Sequence, residues 1–327
     1  MAANNYYLGI DIGGTKCAVL AGTDQMEILQ RVQFATHTDK GPDYAINKII
    51  DGIEELINKF GKQNLKSIGI SCGGPLNSKT GVIQSPPNLP GWDNIPIVDI
   101  IKDKTGIPTF IQNDANACAL AEWKFGAGKG TANMVFLTFG TGLGAGIIIN
   151  GELYAGTNDN AGEVGHIRLE ENGPVGYNKA GSFEGFCSGS GITKLAKIVA
   201  EEKLNKGENV SYCQTYDDLN GITTAQLANL ANNGDKEAME LFNISAKKLG
   251  VGLSILIDTL NPERIVIGSV YARNPHLFNE LTKEVIEKEA LPGAWNVCQI
   301  VPAEVGDKVG DFASLSVAID GYSRLND

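Results

Sequence analysis

Two glycine-rich segments have the residue types and spacing of backbone that binds phosphate. They read IDIGGTKCAVL over residues 10–20 and LTFGTGLGAGIII over residues 137–149. Each predicts a strand, a glycine turn and a second strand, and the backbone N–H groups of such a turn can hold a phosphate without a helix. The dinucleotide-binding GxGxxG pattern opens a helix rather than a strand, and the P-loop pattern does not occur. The two segments therefore predict two phosphate-binding hairpins.

The rest of the chain supplies strands and helices that would position these hairpins. Apolar periodicity predicts strands at 6–12, 16–21, 67–72, 109–112, 134–139, 145–150 and 264–268. It predicts helices at 44–60, 115–125, 190–204, 223–232, 235–260 and 311–324, with irregular segments at 76–96 and 156–191. The order is weakly duplicated, which predicts two α/β halves whose glycine turns face one cleft. The chain has 40 glycines, and we expect the excess to lie mainly at strand ends and hairpin turns of that cleft, at Gly13, Gly14, Gly73, Gly74, Gly140 to Gly146 and Gly268.

Composition and charge exclude several classes of protein. The chain has 327 residues, and 27 Lys and Arg against 38 Asp and Glu give a net charge of −11. Nucleic acids and anionic membrane surfaces require a basic face, so neither is an expected partner. No apolar run is long enough to span a membrane, no signal segment is recognisable, and the six cysteines form no CxxC pair. We expect a cytoplasmic globular protein of about two domains.

Six short motifs together resemble the ROK family of sugar kinases, which belongs to the actin-like ATPase superfamily. In chain order they are Asp11-Ile-Gly-Gly-Thr-Lys16, Asn88-Leu-Pro-Gly-Trp92, Asn113-Asp114-Ala-Asn116, Gly140-Thr-Gly-Leu-Gly144, Gly162-Glu-Val-Gly-His166 and Asn261-Pro-Glu263. The resemblance implies an α/β fold of two actin-like (ribonuclease H-like) lobes, each a mixed sheet flanked by helices, with the active site in the interlobe cleft. It places the N-terminal lobe at 1–116 plus about 310–327 and the C-terminal lobe at 117–309.

The resemblance assigns the glycine turns to MgATP. Asp11 would hold Mg²⁺ through water, and Lys16 would neutralise phosphate charge. Backbone at Gly13, Gly14, Thr15, Gly140, Thr141, Gly142 and Gly144 would contact phosphates, and Gly268 would approach the base. Taken alone, either turn would read as an ordinary hairpin with no ligand.

The resemblance makes Asp114 the catalytic base that accepts the proton of a sugar hydroxyl as its oxygen attacks the γ-phosphate. An aspartate at this position would also suit the N-cap of the helix 115–125. The family's sugar contacts correspond to Gly74, Asn88, Asn113, Asp114, Glu163, His166 and Glu184. For Glu163 and Glu184, solvated surface charge is the simpler alternative.

Two departures from the family pattern affect the expected cofactors. Many relatives carry a zinc site of the form CxCGxxGCxE after His166, but no cysteine occurs between His166 and Cys187. Structural zinc requires four N or S ligands, so we predict no zinc, with Asn178 and Ser182 as candidates to hold the segment by hydrogen bonds. Where relatives carry three glycines after the last strand, this chain has Gly268, Ser269 and Val270.

The expected reaction is transfer of the γ-phosphate of MgATP to a hexose, most simply glucose to glucose 6-phosphate. Kinases for N-acetylmannosamine, fructose, mannose or allose, and a sugar sensor without catalysis, are the alternatives. A repressor of this family would need a DNA-binding segment before the motif that begins at residue 9, and an acyl kinase would need an arginine clamp for its carboxylate substrate. The family's habit implies a homodimer.

Overall fold

The computed structural model describes residues 5–306 and 309–326. Within them the chain divides into two compact units, the first formed by residues 5–130, 146–161 and 304–326 and the second by residues 131–145 and 162–303. The lobe boundaries expected from the sequence stay a prediction, and their residues 1–4, 307, 308 and 327 lie outside the described residues. No described helix is both long and apolar enough to cross a bilayer.

The described residues form fourteen strands and eleven α-helices, which mostly follow one another in runs of two to five of the same kind. The strands are β1 (Tyr6–Ile12), β2 (Lys16–Gly22), β3 (Ile28–Ala35), β4 (Leu65–Cys72), β5 (Leu76–Asn77), β6 (Val82–Ile83), β7 (Thr109–Asn113), β8 (Met134–Leu137), β9 (Ala145–Ile149), β10 (Glu152–Leu153), β11 (Val175–Gly176), β12 (Lys179–Ala180), β13 (Arg264–Ile267) and β14 (Gln299–Pro302). The helices are α1 (Pro42–Phe60), α2 (Ile97–Thr105), α3 (Asp114–Phe125), α4 (Phe183–Phe186), α5 (Gly189–Leu204), α6 (Thr224–Asn232), α7 (Lys236–Leu260), α8 (Ser269–Arg273), α9 (Asn279–Glu289), α10 (Pro292–Trp295) and α11 (Val309–Asn326).

The first sheet has the strand order β3-β2-β1-β4-β7. Its antiparallel β1–β2 pair is the predicted glycine hairpin, and β1, β4 and β7 run parallel. In this register Asp11 lies opposite Ser71, and Cys72 lies opposite Asn113. The carboxyl ends of three parallel strands therefore bring two candidate site segments to one edge of the sheet.

Helix α11 packs against β1, β4 and α3. Two glycines allow this close approach: a Cβ on Gly9 would lie 2.9 Å from the backbone nitrogen of Leu315, and a Cβ on Gly69 would collide with the backbone of Ala318. The opposite face of the sheet is covered by α1, which begins at Pro42 and ends before Gly61. Some glycines thus serve helix packing, so the expectation that they mainly line a cleft is only partly right.

The second sheet has the order β10-β9-β8-β13-β14, with β13 parallel to both β8 and β14. The long helix α7 begins at a side-chain cap, where Asp235 accepts a hydrogen bond from the Ala238 N–H, and ends at Asn261, whose φ of +45° is left-handed. Glu263 then accepts hydrogen bonds from the backbone N–H groups of Ala132 and Asn133, just before β8. The Asn-Pro-Glu motif is therefore a helix stop that also fixes the start of a neighbouring strand.

Several elements were not predicted from the sequence. They are β3, β10, α2, α8, α9, α10 and β14, together with the short β5–β6 hairpin inside 76–96 and β11, β12 and α4 inside 156–191, two segments that were expected to be irregular. The expectation that Asp114 caps its helix is wrong: β7 extends to Asn113, whose side chain accepts from the Asn116 N–H, and Asp114 is the first helical residue. Asparagine caps as well as aspartate does, so sequence alone does not decide between adjacent candidates.

Glu122, near the end of α3, is fully buried and accepts hydrogen bonds from the backbone N–H groups of Ala127, Glu304 and Val305. We predict that Glu122→Ala lowers the free energy of unfolding by about 3 kcal/mol, because three backbone donors, one of them buried and two partly buried, lose their acceptor. Equilibrium urea denaturation measures this loss. The control is Glu54→Ala on the exposed face of α1, which should change it by less than about 0.5 kcal/mol; equal effects would refute the assignment.

Candidate active site

The first glycine turn connects β1 to β2 and is held on several sides. The Gly13 N–H donates to the carbonyl of Lys16 at 3.1 Å, and the Thr36 hydroxyl donates to the Gly13 carbonyl at 2.6 Å. A Cβ on Gly14 would collide with the carbonyl oxygen of Asn88, so this position requires glycine. The turn leaves Thr15 and Lys16 exposed to solvent, which suits the expected contact with phosphate.

Asp11 lies near the end of β1 rather than at the tip of the turn. Burial, and next the carboxylate of Asp311, raise the pKa of Asp11 to about 6, while Arg31 and Lys16 act in the opposite direction. Arg31 pairs with Asp311 at 2.9 Å, and Gly310, in the first turn of α11, is close enough that a Cβ would lie 2.9 Å from Oδ2 of Asp11. The sequence analysis missed Arg31 and Asp311 because they come from distant parts of the chain.

Asn113 and Asp114 lie where β7 passes directly into α3. Oδ1 of Asn113 accepts a hydrogen bond from the Asn116 N–H at 2.8 Å. The side-chain Nδ2 group of Asn113 therefore faces away from that N–H and can donate to another group. Oδ1 of Asp114 accepts from the Ala115 N–H at 2.9 Å, while the side chain remains reachable by solvent. Burial raises the pKa of Asp114, opposed by that backbone hydrogen bond. The carboxylate of Asp114 also contributes to the raised pKa of Asp11, so the two acids interact electrostatically.

Asn88 belongs to a loop anchored by two buried neighbours, Leu89 and Trp92. The Leu89 N–H donates to the Pro86 carbonyl at 3.0 Å, and the Trp92 N–H donates to the Leu89 carbonyl at 3.2 Å. A Cβ on Gly73 would lie 3.3 Å from Oδ1 of Asn88. Asn88 is exposed, beside Gly73 and Gly14, and Gly74 is exposed with open space where a Cβ would stand.

The second glycine turn lies between β8 and β9. The Gly140 N–H donates to the Gly142 carbonyl at 3.1 Å, and the Gly144 N–H donates to the hydroxyl of Thr138 at 2.9 Å. The carbonyl of Gly140 accepts from the Gly189 N–H, and that of Thr141 accepts from the hydroxyl of Ser190. The turn is therefore fastened to the start of α5.

A cavity of about 610 Å³ opens beside this turn, entirely within the second unit. Its lining includes Gly140, Thr141, Gly189, Ser190, Thr193, Lys194, Lys197, Ile222, Thr223, Thr224, Ser269, Val270 and Arg273. Three of these side chains are cationic, and the volume suits a small-molecule ligand. Lys194 and Lys197 on α5 and Arg273 on α8 were not predicted, because basic side chains on helices carry no distinctive signal in the sequence.

Gly268 was expected to approach a base closely, but the structure gives it a packing reason. A Cβ there would lie 3.3 Å from the ring of Phe136. The next residue, Ser269, has a left-handed φ of +50° and lies on the cavity, beside Gly140. The backbone conformation that favours glycine thus occurs at Ser269, where the family pattern has glycine.

The remaining candidates lie together in the second unit. A single 3-10 turn, Val164–His166, follows Glu163, and both Glu163 and His166 are exposed. Glu184, in the first turn of α4, accepts a hydrogen bond from the Leu143 N–H at 3.0 Å. A Cβ on Gly165 would lie 3.2 Å from that of Glu184, which places the Glu163–His166 turn against α4. Glu184, itself a candidate sugar contact, thus links the Glu163–His166 turn to the second glycine turn.

The segment 167–186, for which the sequence predicts no zinc, is held by hydrogen bonds. Ser182 caps α4 by accepting from the Gly185 N–H at 3.1 Å, and its hydroxyl donates to the Gly176 carbonyl at 3.3 Å. Three cationic side chains donate to backbone carbonyls: Arg168 to Ala180 at 2.9 Å, Lys179 to His166 at 2.8 Å and Lys194 to Val175 at 2.7 Å. Ser182 therefore acts as expected, and Asn178 occupies a turn position with a left-handed φ of +62°.

The donor chemistry fits a nucleotide-bound magnesium ion better than a metal held by protein alone. Among residues 5–306 and 309–326, no group of three or more His, Cys, Asp or Glu side chains is arranged to hold a metal ion. Mg²⁺ commonly retains waters and takes only one or two carboxylates besides phosphate oxygens. The single carboxylate of Asp11 meets that requirement.

Comparison with known proteins places these features in context. A family described as "ROK family" matches residues 7–319. A glucokinase of Halalkalibacterium halodurans is 30% identical, covering 94% of this chain and 93% of its own, and a xylose repressor of Bacillus spizizenii is 29% identical over 97% of this chain and 78% of its own. The crystal structure of a ROK family glucokinase from Streptomyces griseus in complex with glucose and AMPPNP superposes with a TM-score of 0.74, at 27% identity, covering 97% of this chain and 100% of that one. The fold of two mixed sheets flanked by helices matches that structure.

The capping role of Asn113 gives a stability prediction. Asn113→Ser retains an oxygen that can accept from the Asn116 N–H, whereas Asn113→Ala does not, so the alanine variant should be less stable by about 1 kcal/mol. Urea denaturation of the two variants measures this difference. Equal stability of both would contradict the cap.

The hydrogen-bonded segment 167–186 gives a metal-removal prediction. Treatment with EDTA should leave the melting temperature unchanged, whereas Ser182→Ala should lower the free energy of unfolding by about 1–2 kcal/mol through loss of the cap and of a buried hydrogen bond. Thermal scans with and without chelator, together with metal analysis, test both. One tightly bound zinc per chain, or a large loss of stability on chelation, would show that the interpretation is wrong.

Proposed function

Because the chain belongs to the ROK family, we propose that it is an ATP-dependent hexose kinase that transfers the γ-phosphate to a sugar hydroxyl, with glucose as its principal acceptor. Glucokinases related over nearly the whole chain support this activity. Asp114 is the proposed general base, and Asn113, Asn88, Gly74, Glu163, His166 and Glu184 are the proposed sugar contacts.

The placement of Asp114 carries the proposal. Phosphoryl transfer needs little covalent chemistry from the protein, but the attacking hydroxyl must be oriented and must lose its proton. A carboxylate that solvent reaches, held by the Ala115 N–H and with its pKa raised by burial, suits that proton transfer. The adjacent amide of Asn113 supplies a donor for a sugar oxygen.

The two glycine turns and the cationic cavity are the proposed nucleotide contacts. The backbone N–H groups of Gly14 and Thr15, and of Thr141 and Gly142, would bind phosphate oxygens, while the N–H groups of Gly13, Gly140 and Gly144 keep the two turns closed. Mg²⁺ bound with the nucleotide would neutralise charge on its phosphates, with Asp11 accepting hydrogen bonds from its waters. Lys16 adds positive charge beside the first turn, and the cavity at Gly140 and Ser269 is the proposed site of the nucleoside.

Assembly and location are part of the same proposal. We expect a homodimer in the cytoplasm, as inferred from the family resemblance and from an acidic chain with unpaired cysteines. The related xylose repressors indicate a second candidate, a sugar-binding regulator without catalysis. The two differ in one measurable respect, since a regulator binds the sugar without releasing ADP.

Replacement of Asp114 tests the proposed base. Asp114→Asn should lower kcat by at least about 10²-fold, the usual contribution of a general base, while glucose binding changes little. A coupled ADP-release assay gives kcat, and calorimetry gives the glucose Kd. Asp103→Asn, an exposed aspartate on α2, is the control and should keep full activity. Near-normal turnover of Asp114→Asn would refute the role.

A panel of acceptors tests the substrate. Assayed with MgATP, glucose should give the highest kcat/KM among glucose, mannose, fructose, allose and N-acetylmannosamine. A different leading hexose would reassign the substrate within the kinase proposal. Binding of a hexose without ADP release would instead favour the regulator.

A further inference from the structure

The segment 167–186 carries an aromatic residue in an unusual backbone position. Strands β11 and β12 pair with Val175 opposite Ala180 and Gly176 opposite Lys179, which leaves Tyr177 and Asn178 as a two-residue turn. Both have left-handed φ angles, +40° and +62°, as in a type I′ turn. Asparagine and glycine tolerate this conformation, whereas a bulky aromatic side chain rarely adopts it. The turn therefore holds Tyr177 at a cost in local stability.

The ring of Tyr177 is largely uncovered. It is 71% exposed, the highest value among the large hydrophobic side chains of the described residues. A strained backbone position that holds a largely exposed aromatic ring gains little packing in the isolated protein. Strain that is retained without such a gain points to a role in binding.

The turn is attached to His166 in two ways. The rings of His166 and Tyr177 lie edge to face, with centroids 6.1 Å apart and planes at 77°. Lys179, the residue after the turn, donates from Nζ to the His166 carbonyl at 2.8 Å. The position of the Tyr177 ring is therefore fixed relative to His166.

The same turn also packs against Glu184. A Cβ on Gly176 would lie 2.8 Å from that of Glu184 and 2.7 Å from the Ser182 hydroxyl. The residue directly before Tyr177 thus lies against a second proposed sugar contact. The turn is thus next to His166 through the ring of Tyr177 and next to Glu184 through the backbone of Gly176.

From this arrangement we infer that Tyr177 is a sugar-contacting residue, whose ring packs against the C–H face of a hexopyranose while His166 hydrogen-bonds a hydroxyl. A pyranose has apolar faces of C–H groups and a polar rim of hydroxyls, and C–H groups suit the electron-rich face of an aromatic ring. Sites for small ligands combine such apolar surfaces with a few placed polar groups. This inference rests on the proposed function and adds to it a residue outside the motifs of the resemblance.

The decisive variant is Tyr177→Gly, because affinity and stability should move in different directions. Removal of the ring should raise the KM and the calorimetric Kd for D-glucose about tenfold. The melting temperature should stay the same or rise, because glycine adopts a left-handed φ without strain. The KM for ATP and the kcat should remain within about twofold of wild type, since the ring takes no part in phosphoryl transfer.

Two further variants separate the ring from the turn. Tyr177→Phe keeps the ring and should keep the wild-type Kd, and Asn178→Gly changes the same turn without touching the ring and should do likewise. In a His166→Ala background, Tyr177→Gly should still weaken glucose binding. If it does not, the ring acts only through His166 and the inference is overturned, as it is by an unchanged Kd for Tyr177→Gly alone.

The wild-type protein distinguishes this inference from the proposed function. Glucose binding without ADP release would refute the kinase proposal while the Kd values of the variants still test Tyr177. Glucose binding with turnover, but with a Tyr177→Gly Kd equal to that of wild type, would overturn the role of Tyr177 and leave the kinase proposal standing. No binding of D-glucose, D-mannose or D-fructose by wild type would overturn both.

Discussion

The close packing of α11 on β1 and β4 is the constraint on which the first unit depends. Gly9 and Gly69 let the helix backbone lie directly against the two central strands, where any larger side chain would hold it away. Helix α11 also packs on α3, whose first residue is Asp114, and its own first turn lies beside Asp11. One helix thus fixes the strand end that carries Asp11 and the helix that carries Asp114. The spacing of the two acids follows from backbone contact rather than from the acids themselves.

The second unit achieves comparable order with side-chain-to-backbone hydrogen bonds. Arg168, Lys179 and Lys194 each donate to a carbonyl of the segment 167–186, and Ser182 caps α4 within it. Charge-assisted hydrogen bonds are stronger than neutral ones. Several of them can therefore hold an irregular segment in one conformation, as coordination to a metal would. Glu184 extends the network to the Leu143 N–H of the second glycine turn. If the segment 167–186 moved when a sugar bound, the carboxylate of Glu184 would therefore transmit the movement to the second glycine turn, which is a proposed phosphate contact.

The sequence predicted the elements that have strong periodicity and missed those defined by tertiary contacts. The hairpin β1–β2, the helices α1, α5 and α7 and the strand β13 follow from apolar spacing and from glycine and proline at their ends. The apolar and polar residues of β3 alternate only weakly in the sequence, and the strand is stabilised by pairing with β2. Helix α9 is mostly polar, so neither element has a strong local signal. Motif residues were found because they are local in sequence, whereas Arg31 and Asp311 meet near Asp11 only through the fold. The geometry of Tyr177 was equally unpredictable, since positive φ at an aromatic residue contradicts local preference.

Charge distribution bears on the proposed binding of a polyanionic nucleotide by an acidic protein. The chain carries a net charge of −11, and the region around Asp11 adds the carboxylates of Asp311 and Asp114, which would repel free phosphate. In the second unit, Lys194, Lys197 and Arg273 surround a cavity beside the second glycine turn. Positive side chains therefore accompany the proposed nucleoside site, while the acidic cluster favours a nucleotide that arrives with its cation. Under the proposed function, the carboxylates near Asp11 would favour a nucleotide whose phosphates carry Mg²⁺ over a nucleotide without a cation, because the cation offsets their repulsion.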